Sequence, residues 1–253
     1  MKQNLSSLIA LALVSGSALA QTAAPAAPEP ESTLAYNFGM VSDYRYRGIS
    51  QSRLEPALQG GVDYAHKSGL YIGAWASSIK WIKDAAATDG SLELDLYGGY
   101  KGAAGDLGYD VGFLRYQYIG NKLGNVDGFG NANTNEVYGA LTYGVVTAKY
   151  SYALSNLFGN LNTKGSYYAD ISANLDLGNG YSLTPHVGYQ YVKNAPLGSY
   201  TDYSLTLAKD LGNGLTGTAM WVNTNADPAF GYKTPSNKST GKAAVVVGLK
   251  YTF

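Results

Sequence analysis

The chain of 253 residues contains no cysteine. Thiol catalysis, disulfides and cysteine-type zinc sites are therefore excluded. The absence does not report a compartment, because oxidising compartments permit disulfides without requiring them. Charge is scarce at 14% of residues, and 18 basic side chains balance 18 acidic ones. That leaves no basic surface for nucleic acid. There are only two histidines, His66 and His186. No G-x-S-x-G, H-E-x-x-H, P-loop or Cys/His metal spacing occurs, so no metal and no cofactor is implied. After the first twenty residues no apolar run approaches the ~20 residues of a helical span. A membrane protein beyond that point has to be a closed barrel, the strand arrangement that satisfies its backbone groups in lipid.

What is abundant is glycine (32) and tyrosine (23). This suits many turns and girdles of aromatic side chains. Residues 1–20 read as a secretory signal peptide: Lys2, an apolar Leu5 to Val14 and a small-x-small Ala18-Leu19-Ala20. Losing it leaves 17 basic against 18 acidic residues. Residues 21–33 are Ala/Pro-rich and read as a flexible periplasmic tether. The remainder, 34–253, is predicted to be one all-β domain.

Twelve strand-like segments are found in it, most with the ~9–11 residues that a tilted membrane strand needs. The first is read from Leu34 to Gly48. Its even positions, Leu34, Tyr36, Phe38, Met40, Tyr44 and Tyr46, are apolar or aromatic, while Asn37, Asp43, Arg45 and Arg47 lie on the other parity. Strand side chains alternate faces, and an aromatic face outside with charges inside is the pattern of a transmembrane barrel. The ninth strand repeats it, with Tyr181, Leu183, Val187, Tyr189 and Tyr191 opposing Ser182, Thr184, His186 and Gln190. The fifth changes phase between Phe113 and Leu114, which predicts a β-bulge there.

The connections alternate short and long. Short ones, such as Gly178-Asn179-Gly180 and Gly212-Asn213-Gly214, carry tight-hairpin residues. Long ones include Ile49 to Pro56, Gly120 to Thr134 and Thr224 to Gly241. Even strand number and long loops at one end fit a transmembrane antiparallel β-barrel of about 12 strands. A soluble sandwich has no reason to sort its loops so. Asp176-Leu177-Gly178-Asn179-Gly180 recurs at Asp210 to Gly214 as a reused hairpin unit.

Ser42 to Gln51 (SDYRYRGISQ), Pro56 to Tyr64 (PALQGGVDY) and Glu93 to Tyr100 (ELDLYGGY) resemble the TorF-type putative porin family. The resemblance implies a Gram-negative outer-membrane barrel and says little about substrate. The terminal Lys250-Tyr251-Thr252-Phe253 resembles the signal read by the outer-membrane assembly machinery. Outer-membrane lipid and small hydrophilic solutes are the other expected partners, and homo-oligomerisation stays open.

Strand parity predicts inward acids at Asp43, Asp63, Glu93, Asp95, Asp110, Glu136, Asp170 and Asp202. Inward bases are predicted at Arg45, Arg47, Arg115, Lys149 and Lys250, with His186 among them. These residues serve either as cross-strand ion pairs that hold the barrel or as the lining of a weakly cation-preferring pore. Asp43, Arg45 and Arg47 are read as an outer constriction facing Asp63, and Gly120 to Thr134 as a loop long enough to fold inward. Three functions remain: passive diffusion of small solutes, a non-conducting structural or adhesive barrel acting through its loops, and a lipid-cleaving barrel using His186 with Ser172 and Asp170. The last is disfavoured because His186 faces the lumen. The predicted topology puts Thr224 to Gly241 outside the cell. Protease added to intact cells is expected to cut there, and complete resistance would contradict the topology.

Overall fold

A computed structural model describes residues 30–85 and 89–253. The predicted signal peptide and most of the tether lie outside the described residues. Twelve barrel strands follow in order: β1 (Ser32–Val41), β2 (Ala57–His66), β3 (Leu70–Ser78), β4 (Leu92–Ala104), β5 (Leu107–Ile119) and β6 (Thr134–Tyr143) form the first half. β7 (Val146–Ala153), β8 (Tyr167–Ala173, resuming as Leu175–Gly178), β9 (Tyr181–Tyr191), β10 (Tyr200–Gly212), β11 (Leu215–Thr224) and β12 (Ala244–Thr252) complete it. Each strand pairs antiparallel with its predecessor and successor, and β1 pairs with β12 from Asn37↔Thr252 to Val41↔Gly248. The sheet is thus a closed meander with no free edge. Phe253 seals the seam: its amide donates to the Tyr36 carbonyl and its carbonyl accepts from the Tyr36 amide (3.0 and 2.9 Å), and its ring stacks on Tyr36 and Tyr251.

The two faces are inverted relative to a soluble protein. Leu34, Phe38, Ile72, Ile171 and Val247 stand more than half exposed on the outside, while Glu93, Asp95, Glu136 and Asp202 are buried inside. An exposed apolar belt of this extent is stable only against lipid. Tyrosines cluster on the belt, with Tyr167 against Tyr150 and Tyr191 (5.3 and 5.0 Å between centroids) towards the long-loop end.

The repeated pentapeptide makes the same turn twice. Asp176 and Asp210 each accept from the amide two residues on, at 2.8 Å, and Asn179-Gly180 and Asn213-Gly214 all have positive φ. The register shifts of the barrel fall there, between Asp176 and Gly178 and between Asp210 and Gly212. The bulge predicted near Phe113 is absent: β5 pairs in unbroken register with β4 and β6. Val111, Phe113 and Ile119 face out, and Tyr116 and Tyr118 face in and are buried. Arg115 shares the outward parity, next to the exposed Leu96 and bonded to Gln117 and Asn135. It does not point into the lumen as predicted. Leu114, Tyr116 and Tyr118 are apolar or aromatic yet lie on the inward parity, so the alternation looks broken where the backbone is regular.

Inward tyrosines lie flat on glycines of the neighbouring strand. Tyr97 covers Gly73, Tyr71 covers Gly99 and Tyr138 covers Gly112, and each pair is directly opposite in register. A Cβ at Gly112 would come 2.5 Å from the Tyr138 ring and 2.9 Å from the Gly98 carbonyl, whereas one at Gly139 meets nothing. Gly112→Val should therefore destabilise the barrel by about 1–3 kcal/mol and Gly139→Ala should be near neutral. The temperature at which the folded band is lost on unboiled gels measures both.

Candidate functional site

The five short turns gather at one end and the six long connections at the other, as an antiparallel meander requires. A cavity of about 880 Å3 runs inside the barrel. Asp210, Asn213, Gly214 and Thr252 line it at the short-turn end, and Asp43 to Gly48 close it above.

The closing element is the first long loop, residues 42–56. β1 stops at Val41 rather than continuing to Gly48. The chain turns into the lumen and forms a hairpin of Arg45–Tyr46 against Ile49–Ser50. Its two-residue tip, Arg47-Gly48, has φ of 47° and 78°, the condition of a type I′ turn. Alternating Tyr and charged residues suit this place, because one side of the hairpin packs on aromatics and the other meets polar groups. Tyr44 packs edge-on against Trp75, and Tyr46 against Tyr116. Phe158 of the fourth long loop covers Tyr46 and Tyr116 from above.

Polar contacts fix the hairpin on all sides. Asp43 accepts from Arg45 Nε and Ser50 Oγ, both at 2.5 Å. Arg45 also donates to the carbonyls of Gly48 and Thr240, tying the hairpin to the last loop. Arg47 crosses the lumen to Glu136 Oε2 on β6 and Gln190 Oε1 on β9, 2.7 Å each. Gly48 touches the far wall, where a Cβ would lie 2.4 Å from Thr224 and 2.8 Å from Asp202. At the loop's base Arg53 pairs with Asp84, and Lys80 with Glu55. The hydrogen bond from Lys80 holds the Glu55 carboxyl below its ordinary range.

The remaining predicted residues fall into three groups. Near the hairpin, Glu93 accepts from the Tyr44 hydroxyl, and Asp95, 2% exposed, lines the cavity. Midway down, Lys149 lies over the Tyr138 ring opposite Asp170. His186 stands between Asp170 (3.8 Å) and Asp202 (3.5 Å), with the Tyr168 hydroxyl at 3.2 Å. Nearer the short turns, Asp63 accepts from Tyr97, Asp110 accepts from Tyr71, and Lys250 lines the wall. Asp43 and Asp63 do not meet, since Asp43 is engaged within the hairpin. Ser172 lies opposite His186 in register but forms no hydrogen bond with it, so the arrangement lacks a nucleophile–base pair. Lys101, which faces Asp110 at 3.7 Å, and Asp210 were missed by the sequence reading. Lys101 has the parity of Glu93 and Asp95 and could have been found from that alone.

Gly120 to Thr134 does not constrict the cavity as expected, although its Leu123 and Ala132 are buried in the core around Tyr44 and Tyr116. That loop pairs with the fourth long loop through Gly130 and Gly159 and contributes no residue to the cavity wall. Its Leu123 and Val126 pack onto the core to which Tyr44 and Tyr46 of the first loop belong, and it is the first loop that reaches the cavity. Among the described residues no group of three His, Cys, Asp or Glu side chains is placed to hold a metal.

Comparison with solved structures places the fold. The KdgM porin matches with a TM-score of 0.52 at 8% identity, over 88% of this chain and 99% of that one. The NanC porin matches with 0.51 at 8% identity, over 87% and 99%. A structure of the KdgM porin in complex with disordered oligogalacturonate gives 0.51, also at 8%. No curated protein matches by sequence. A family model described as a bacterial protein of unknown function (Gcw_chp) matches residues 23–253. The chain belongs to that family, and its barrel is similar in fold to those of the KdgM and NanC porins.

Proposed function

We propose that the chain is an outer-membrane channel for passive diffusion of small hydrophilic solutes, with its short turns in the periplasm and its first loop as an internal plug. The observation that carries this reading is a cavity lined by charged side chains inside a barrel whose outer face is apolar. A filled interior would need no such space. The resemblance of Ser42 to Gln51 to TorF-type porins supports the same reading, as does the predicted signal peptide, and the seam-sealing Phe253 suits recognition by the assembly machinery.

The cavity wall carries six acidic and four basic side chains. Charged side chains lining a pore set which ions it passes. The acidic excess favours cations and disfavours polyanions. The KdgM porin has been seen with oligogalacturonate, which is a polyanion; that ligand chemistry does not suit this lumen. One observation favours a second reading, a barrel that does not conduct and works through its outer loops: the plug touches the wall from β3 round to β11.

Planar-bilayer recording separates the two. Conducting steps with a reversal potential on the cation side are expected across a salt gradient. An anion-side potential would remove the selectivity, and no steps from a correctly folded barrel would favour the second reading. Gly48→Ala adds a Cβ where Thr224 and Asp202 already stand and strains a positive φ. It should loosen the plug by about 1–3 kcal/mol, raising the open fraction roughly tenfold at ~1.4 kcal/mol. An unchanged open fraction would show that the hairpin does not limit conduction.

A further inference from the structure

Arg47 sits in a site that the barrel wall builds without it. Its guanidinium lies 4.4 Å from the centroid of the Tyr168 ring and 4.8 Å from that of Tyr46, with Glu136 and Gln190 each accepting one of its N–H groups. Three of these four partners belong to the wall, and each is held by a contact of its own. The Gln190 amide donates to the carbonyls of Tyr167 and Tyr191 (3.0 and 3.1 Å), which turns its oxygen to the lumen. Tyr168 is pinned by its hydroxyl on Asp202 (2.9 Å) and lies over Gly188, where a Cβ would come 1.9 Å from that hydroxyl. Glu136 accepts from the Tyr116 hydroxyl at 3.2 Å. An oriented amide oxygen, a carboxylate and an aromatic face are the groups that recognise a planar, charged fork.

Two further observations point to a ligand. Glu136 Oε1 and Asp95 Oδ1 are buried without a hydrogen-bond partner, and Asp95 lines the cavity while 2% exposed. Glu136 thus spends one oxygen on Arg47 and keeps the other unpaired, and a buried carboxylate with an unpaired oxygen is stabilised by a cation that can reach it. The tip itself breaks a local rule. A type I′ turn favours Asn, Asp or Gly at its first position, and here an arginine takes φ 47°. The contacts of its guanidinium with Glu136, Gln190 and Tyr168 offset that strain, so the side chain rather than the turn accounts for an arginine at this position.

We propose that the Glu136–Gln190–Tyr168 cage is a binding site for solutes that carry a guanidinium group, and that Arg47 is its tethered occupant, which such a solute displaces. The plug then opens to the solutes whose charge its own tip imitates. This deepens the channel reading and rests on it for the opening step; the cage itself is tested by binding to the refolded, full-length mature barrel.

The experiment is calorimetric titration with L-arginine, with citrulline as the uncharged isostere and lysine as the charge control. Arg47→Ala frees the cage, so arginine should bind at least tenfold more tightly than to the wild type, with lysine weaker and citrulline silent. Adding Glu136→Gln to Arg47→Ala should abolish that gain. Arg47→Gln repeats the test with a bulkier side chain should the alanine variant fold poorly, and retention of the folded band on unboiled gels qualifies either. Equal arginine affinity in wild type and both Arg47 variants would overturn the tethered-occupant assignment. Equal binding of lysine and arginine would overturn the guanidinium specificity. In bilayers, arginine but not citrulline should raise the wild-type open fraction. If steps occur but arginine does not change them, the displacement fails while the channel stands. If no variant conducts, the channel reading fails and the titration still decides the cage.

Discussion

The structure depends on a ladder of backbone hydrogen bonds that has no end. In lipid an unpaired amide or carbonyl has no water to turn to, so each strand must be paired on both sides. Everything else follows from the β1–β12 seam being closed. Closure sets the even strand count and forces the long connections to one end. It also creates an inner surface that is separate from the outer one. Phe253 belongs to this constraint rather than to the lumen, because its backbone completes the last pairing with Tyr36 while its ring joins the outer aromatic belt.

A closed wall solves the backbone problem and raises a second one, what fills the inside. Two devices answer it at two levels. In the lower barrel, tyrosines fold down on glycines of the neighbouring strand, which keeps hydroxyls towards the lumen for Asp63 and Asp110 while leaving room. Towards the long-loop end the first loop enters and builds a small aromatic core with Trp75, Tyr116, Tyr118 and Phe158. The interior is therefore protein-like above and solvent-like below. The charged residues divide along the same boundary, with Glu93 and Glu136 under the hairpin and Asp170, Asp202 and Lys149 around the cavity.

That boundary also explains what could be read from the sequence. Strand number, closure, loop sorting and the inward parity of Asp63, Asp170, His186 and Lys250 follow from period-two alternation, which depends only on near neighbours. The plug does not. Asp43, Arg45 and Arg47 continue the parity of β1 without interruption, so the strand read on to Gly48, and only Arg47-Gly48 between two extended dipeptides hinted at a turn. The rule that apolar residues face lipid then fails wherever the plug supplies an apolar partner. Tyr116 and Tyr118 face inward for that reason, and Arg115, on the opposite parity, faces outward and not into the lumen. The error is a tertiary one, because the partner that reverses the rule lies some seventy residues earlier (Tyr46 against Tyr116).

A plug assembled from one hairpin has a particular energetic character. Its base is bound firmly, through Arg53 and Lys80 ion pairs, the Tyr44–Trp75 contact and the Asp43–Arg45–Ser50 network. Its tip is held by few groups, chiefly one guanidinium and one close backbone approach at Gly48. A buried ion pair such as Arg47–Glu136 adds little net stability once the desolvation of both charges is counted, but breaking it by removing one partner is costly. Exchanging Arg47 for another cation avoids that cost, since Glu136 is never left alone. A tip held in this way is stable in an empty barrel and replaceable in the presence of a cation of matching shape. An apolar tip would hold against charged solutes of every kind. The choice of arginine at a strained turn thus makes the plug's strength depend on what is dissolved in the cavity beneath it.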